Sequence, residues 1–125
     1  MPQVGIPWRP IEVGEIRTFD ISFQNELCFP EVIVSASWDC GVWGTGTDPD
    51  PQSHLGTSSF RSTSVSVKGS GFLEDVIYVL QATVTTSASN VRKLWSTVLC
   101  VPSPVPIIPI TGLSFDFTQP SNLVL

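Results

Sequence analysis

The chain has 125 residues, room for one domain that buries roughly two thirds of its unfolded surface. Eleven acidic and six basic residues give a net charge of −5, and only Arg92 and Lys93 are adjacent, which excludes the clustered basic surface that nucleic acid requires. Charged residues make up 14% of the chain against an average near 25%, and hydrophobic residues make up 42%, so part of the surface is expected to be covered by partner chains.

Eleven prolines, nine glycines and many Ser and Thr argue against a helical protein. No stretch of ten or more residues carries apolar side chains at i, i+3, i+4 with helix formers between them. No apolar run reaches the ~20 residues of a membrane-spanning helix. Met1–Gly5 lacks the basic region and apolar core of a signal peptide, which predicts synthesis in the cytoplasm without export by the usual route.

Residues 1–14 read as an extended leader. Pro2, Pro7 and Pro10 interrupt any regular ladder, and Trp8 between them packs either on the edge of its own domain or on a partner. Glu15–Phe23 alternates cleanly, with Phe19, Ile21 and Phe23 toward the core and Arg17 the polar exception in that register. After a turn at Gln24–Pro30, Glu31–Cys40 reads as a strand with Val32, Val34, Ala36 and Trp38 inward, and Cys40 with them.

Gly41–Gly56 is a long Gly- and Pro-rich loop carrying Trp43, and Val42–Thr45 within it could add a short strand. Loops of this length in compact domains are often functional or contact partners. Thr57–Lys68 holds two short strands or one bent one, with Thr63, Val65 and Val67 sharing a face. Gly69–Gly71 is a turn.

Val76–Thr86 and Val91–Val101 read as a β-hairpin closed by Ser87–Asn90, where Asn90 tolerates positive φ. Tyr78, Leu80, Ala82 and Val84 share one face of its first strand. On the second, Trp95, Leu99 and Val101 are expected to share the inward face, leaving Cys100 outward. Together these segments predict an all-β fold: an immunoglobulin-like antiparallel β-sandwich of about seven strands over residues 15–101, with extended N- and C-terminal arms.

Beyond Val101 the texture changes. Pro102, Pro104, Pro106 and Pro109 punctuate Val105, Ile107, Ile108 and Ile110, a spacing that favours an extended arm. Leu113, Phe115 and Phe117 then alternate with Ser114 and Asp116. Residues 102–125 are thus expected to be a Pro-rich arm with a docking strand, which either folds back along its own domain or adds to a neighbouring subunit.

The run from Phe19 to Phe23, the strand ending at Trp38, the Gly-rich loop, Ser58–Gly69, and the sequence Tyr78-x-Leu80…Val84-Thr85-Thr86-Ser87 leading to Leu99-x-Val101 resemble small immunoglobulin-like virion proteins of tailed bacteriophages. The resemblance covers about Glu15–Val101. It implies a structural role as a fibre–tail adaptor or a head or neck decoration protein, and it carries over no catalytic or ligand residues. The Pro-rich arm is not part of the shared pattern.

Residues able to carry chemistry are sparse. His54 is the one histidine; Ser53 and Asp50 lie near it in sequence, but adjacency is not the geometry of a hydrolytic triad, and the residue is expected to be solvated or structural. Cys28, Cys40 and Cys100 lack metal-site spacing and are expected to be free thiols, the alternative being a disulfide within or between chains in an assembly. Asp48-Pro49-Asp50-Pro51 lacks the third acid and the glycine of a calcium loop and reads as a rigid turn.

The expectation is therefore a non-enzymatic virion component with no catalytic, cofactor or metal site. Its partners would be portal, neck, tail, fibre or capsid proteins and copies of itself, with no nucleic acid and no membrane. The partner-binding residues would be Trp43, Ile107, Ile108, Ile110, Leu113, Phe115 and Phe117. The alternative is a glycan- or receptor-binding module using Trp43.

Overall fold

Alternation along Ile77–Thr86 places Tyr78, Leu80, Ala82 and Val84 on one side, all fully buried, and this strand is the centre of the larger of two sheets. A computed structural model describes residues 7–44 and 46–102 of the chain. Among them are seven strands: β1 (Ile11–Glu12), β2 (Arg17–Ser22), β3 (Ile33–Val42), β4 (Leu55–Phe60), β5 (Ser64–Gly69), β6 (Ile77–Thr86) and β7 (Val91–Val101). They form one sheet in the order β1-β7-β6-β3 and a second in the order β2-β5-β4. Two short 3₁₀ turns, Gln24–Glu26 and Pro51–His54, are the helical elements among the described residues. No helix there is long and apolar enough to cross a membrane.

The connectivity is that of an immunoglobulin-like sandwich, with β2, β5 and β4 in one layer and β3, β6 and β7 in the other. The first strand departs from the fully antiparallel expectation. β1 joins the larger sheet parallel to β7, through the pairs Ile11–Cys100 and Glu12–Val101. The sandwich thus takes in Ile11, fully buried, from within the segment read as a leader. Two residues pair too briefly to show as a pattern between Pro10 and Gly14.

Arg17 explains how that segment is held. Its side chain donates to the carbonyls of Arg9 and of Pro10 (2.7 Å), and to both carboxylate oxygens of Glu15. Its guanidinium also lies 5.8 Å from the centre of the Phe19 ring. Trp8 packs edge-on against Phe19 with ring centres 5.0 Å apart, and its amide donates to the Thr97 carbonyl at 3.0 Å. Of the two placements open for Trp8, the structure shows the edge of its own domain.

The core lies between the layers. Phe19, Ile21 and Phe23 of the β2 segment and Val65 and Val67 of β5 meet Tyr78, Leu80, Ala82 and Val84 of β6. Leu80, two residues after Tyr78, holds the place where antibody domains carry a disulfide cysteine. Gly69 is confined here: a Cβ would sit 2.9 Å from ring atoms of both Phe19 and Phe72.

Two inward faces differ from expectation. In β3, Ile33 is buried and Val34 is 51% exposed, because a bulge sets Ile33 opposite Thr86 and Ser35 opposite Thr85 and leaves Val34 as the extra residue. Past the bulge Ala36, Trp38 and Cys40 turn inward as expected, and Val42 ends β3 rather than opening a new strand. In β7 the interior residues are Leu94, Ser96, Val98 and Cys100; Trp95, Leu99 and Val101 lie on the outer face. In the hairpin turn the positive φ falls on Ser89, at 64°, and not on Asn90.

Asn90 has another use. Glu31, itself buried, accepts hydrogen bonds from the Thr86 hydroxyl, from the Cys28 amide at 3.0 Å and from the Asn90 side-chain amide at 3.0 Å. These donors, Thr86 foremost, hold its pKa at about 2, down from the ordinary 4.5. Ser87 completes the junction, its amide donating to the Val32 carbonyl (2.8 Å) and its hydroxyl accepting from the Val32 amide (3.0 Å). The β2–β3 loop and the β6–β7 turn are thereby clasped together, and Phe29, 97% exposed, projects from the first of them.

A carboxylate depressed by folding stabilises above its unfolded pKa and loses that contribution as pH falls through its folded one. Glu31→Gln should lower the urea midpoint at pH 7, and its difference from the parent chain should shrink between about pH 4.5 and 2; an equal difference at both ends of that range would contradict the assignment. Gly69→Ala should cost about 1–3 kcal/mol in the same titration, because the buried rings of Phe19 and Phe72 would have to shift to admit the methyl group.

Candidate functional site

The described residues offer two features from which a site could be built. One is a buried polar cluster at the start of β6; the other is an aromatic pair on the outer face of the larger sheet.

Asp48 is the hub of the first. Gly46, at φ 98°, lets the loop pass close to Val76, where a Cβ would lie 3.1 Å from its side chain. The loop then folds the Asp48 carboxylate inward. Its Oδ2 accepts from the Tyr78 hydroxyl at 2.5 Å and from His54 Nε2 at 2.6 Å, and its Oδ1 accepts from the Asp50 amide at 2.9 Å. The Tyr78 oxygen in turn accepts from the Leu73 amide at 2.9 Å. This is the corner that a tyrosine near the start of the sixth strand makes in immunoglobulin folds, extended here by a carboxylate and an imidazole.

Burial alone would raise the Asp48 pKa, but the bonds from Tyr78, Asp50 and His54 outweigh it and hold the carboxyl below its usual range. Burial and the neighbouring carboxylate push the Tyr78 phenol well above its own.

The cluster holds the loop against Tyr78 and Phe72. The Ser53 hydroxyl donates to the Asp50 carbonyl at 2.7 Å and does not meet the imidazole, so Ser53, His54 and Asp50 form no triad. The His54 ring is wedged against Phe72 and Tyr78, with centres 5.1 and 5.6 Å away, which places it structurally rather than in solvent. The three cysteines are free thiols in separate surroundings: Cys28 exposed, Cys40 half-buried, Cys100 buried. Burial, with Asp48 nearby, pushes the Cys40 thiol up to about 12, and burial also raises that of Cys100, so neither is a ready nucleophile. No group of three or more His, Cys, Asp or Glu among the described residues is placed to hold a metal ion. An open groove of about 520 Å³ runs along Val42, Gly46, Thr47, Asp48 and Pro49, but the one charged side chain in it is already spent on Tyr78 and His54.

Gln52 does a different task from the same loop. Its side-chain nitrogen donates to the Trp38 carbonyl at 3.0 Å and its oxygen accepts from the Cys40 amide at 2.9 Å. One amide thus occupies two backbone groups on the edge of β3 that faces away from β6.

The second feature contains the one expected partner residue that falls within the described residues. Trp43 follows β3, its amide donating to the Ile77 carbonyl at 2.7 Å, and it is 48% exposed. Its ring meets that of Trp95, with centres 5.0 Å apart and planes tilted by 32°. Trp43 stands level with Ile77, and Trp95 pairs with Gln81, so the two rings lean toward each other across the Val79 position between them. Opposite Val79 on β3 is Gly41, which adds no side chain to the face. Ile77 and Val79, half-buried, and Leu99, 38% exposed, continue the apolar surface. Trp95 was expected inside, and its true place makes Trp43 half of a pair. The other expected partner residues, Ile107, Ile108, Ile110, Leu113, Phe115 and Phe117, lie outside the described residues.

Tyr78→Phe should leave the Leu73 amide without its acceptor and Asp48 without its closest donor, a cost of about 1–3 kcal/mol in urea unfolding. An unchanged midpoint would show that the corner contributes nothing. Comparison of the chain with protein-family models, with curated proteins and with solved structures found no match.

Proposed function

We propose that this chain is a non-enzymatic structural subunit of a tailed-phage particle, made in the host cytoplasm and joined to neighbouring virion proteins and to copies of itself. The observation that carries the reading is exposed apolar surface on a domain with little charge, above all where Trp43 and Leu99 stand beside the Trp95 ring. Trp43 and Leu99 stand on the outer face of the larger sheet, beyond the end of β3, and Phe29 stands at the loop that precedes β3. Patches of this kind on a soluble domain mark contact surfaces. The likeness of Tyr78-x-Leu80…Val84–Ser87 to phage immunoglobulin-like proteins supplies the setting. The spent polar groups around Asp48 supply no competing chemistry.

Trp43 also supports a second reading, a carbohydrate-binding module, since an exposed indole stacks well on a sugar ring. Glycan-array binding that disappears in Trp43→Ala would favour that module; the structural reading expects no such binding. The direct test is quantitative mass spectrometry of particles purified from a producing culture. The chain should be present at a fixed copy number relative to portal or capsid protein. Recovery only in the particle-free fraction would refute a virion role.

A further inference from the structure

We propose that the Trp43–Trp95 face is the seat for residues 103–117 of a second copy of this chain, so that subunits join head to tail. The proposal rests on the assembly reading above and names the surface that assembly uses.

The face is apolar and shallow. Alternation puts Ile77 and Val79 of β6 and Trp95 and Leu99 of β7 on its outer side, Trp43 leans in from beyond β3, and Gly41 leaves the row beside Val79 open. Trp43 and Leu99 remain exposed. A complementary occupant would be extended, apolar and nearly uncharged.

Residues 103–125 of the sequence have that chemistry. Val105, Ile107, Ile108, Ile110, Leu113, Phe115 and Phe117 are crowded into them, and Asp116 is their one charged residue. About 15 residues laid on a surface remove on the order of 1,000 Å² from water over both partners, the scale at which specific interfaces begin.

The point where the described chain ends favours a second copy over a return to the same face. β7 finishes at Val101, in the strand that carries Leu99 and Trp95. To reach that face in its own subunit, the chain would have to reverse within Pro102–Pro104, where two prolines fix φ. Prolines recur at 102, 104, 106 and 109, a spacing that favours an extended occupant over the tight return that a contact within one subunit needs. An arm that leaves one subunit and seats on a different surface of the next is a heterologous contact. Such contacts close into a ring or continue as a filament.

The test uses the full-length chain, alone and in mixtures, by sedimentation and light scattering. The parent chain should associate. Trp43→Ser combined with Leu99→Ser removes the seat, and Ile107→Ser with Ile108→Ser and Ile110→Ser removes the occupant. Each variant alone should associate at least about tenfold more weakly, with the β circular dichroism of the parent, because Trp43 and Leu99 lie outside the core. Mixed one to one, they should recover a single interface, the intact arm of the first on the intact face of the second, and stop at a heterodimer. A monomeric parent chain, a face or arm variant that associates like the parent, or a mixture that fails to pair would each overturn the proposal. The experiment contains no other virion protein. Its failure therefore leaves particle membership standing, and absence from particles would leave the self-association standing.

Discussion

Each end of β6 donates a hydroxyl proton to a buried carboxylate that comes from a loop. At its start Tyr78 bonds Asp48, and at its end Thr86 bonds Glu31. Five of its ten residues are buried and none is exposed, and its inward side chains face both β2 and β5. Fixing its two ends fixes the two loops that cover them. Gly46–His54 is drawn against Phe72 and Tyr78 at one end, and Cys28–Val32 is clasped to the β6–β7 turn at the other. The sandwich has no disulfide between its sheets, and these carboxylates tie loop to strand by charge-assisted hydrogen bonds instead.

That division of labour leaves both carboxylates engaged within the fold. A carboxylate already accepting two or three hydrogen bonds has little capacity left for a substrate or a cation. Asp48 and Glu31 are both held ionised by their donors, and both are satisfied. Among the described residues the prominent exposed groups beside these satisfied carboxylates are apolar, Trp43 and Leu99 on the larger sheet and Phe29 before β3, and it is on these that the proposed assembly role draws.

The legible parts of the fold were those where one register is plainly more apolar than the other. Phe19, Ile21 and Phe23 against Thr18, Asp20 and Ser22 leave no choice, and neither do Tyr78, Leu80, Ala82 and Val84. β7 offers two nearly equal registers. Leu94, Val98 and Cys100 compete with Trp95, Leu99 and Val101, and size alone favours the wrong set. The interior set wins although it includes Ser96, a small side chain opposite Leu80 where a Trp would not fit. In β3 the bulge at Val34 reverses the alternation for the residues before it, and nothing in the local pattern marks the slip. The Asp48–His54–Tyr78 cluster joins residues thirty positions apart in sequence, so only tertiary contact reveals it.

The amide of Gln52 has a consequence for the fate of the protein at high concentration. The unpaired backbone of an edge strand is a template on which another strand can grow, and sheets that meet edge to edge form insoluble aggregates. At the middle of β3 that template is closed by a single side chain hydrogen-bonded to Trp38 and Cys40, with no added strand and no charge. The chain is thus guarded at this point of the β3 edge against open-ended sheet growth, by one neutral side chain that occupies both a donor and an acceptor of the strand.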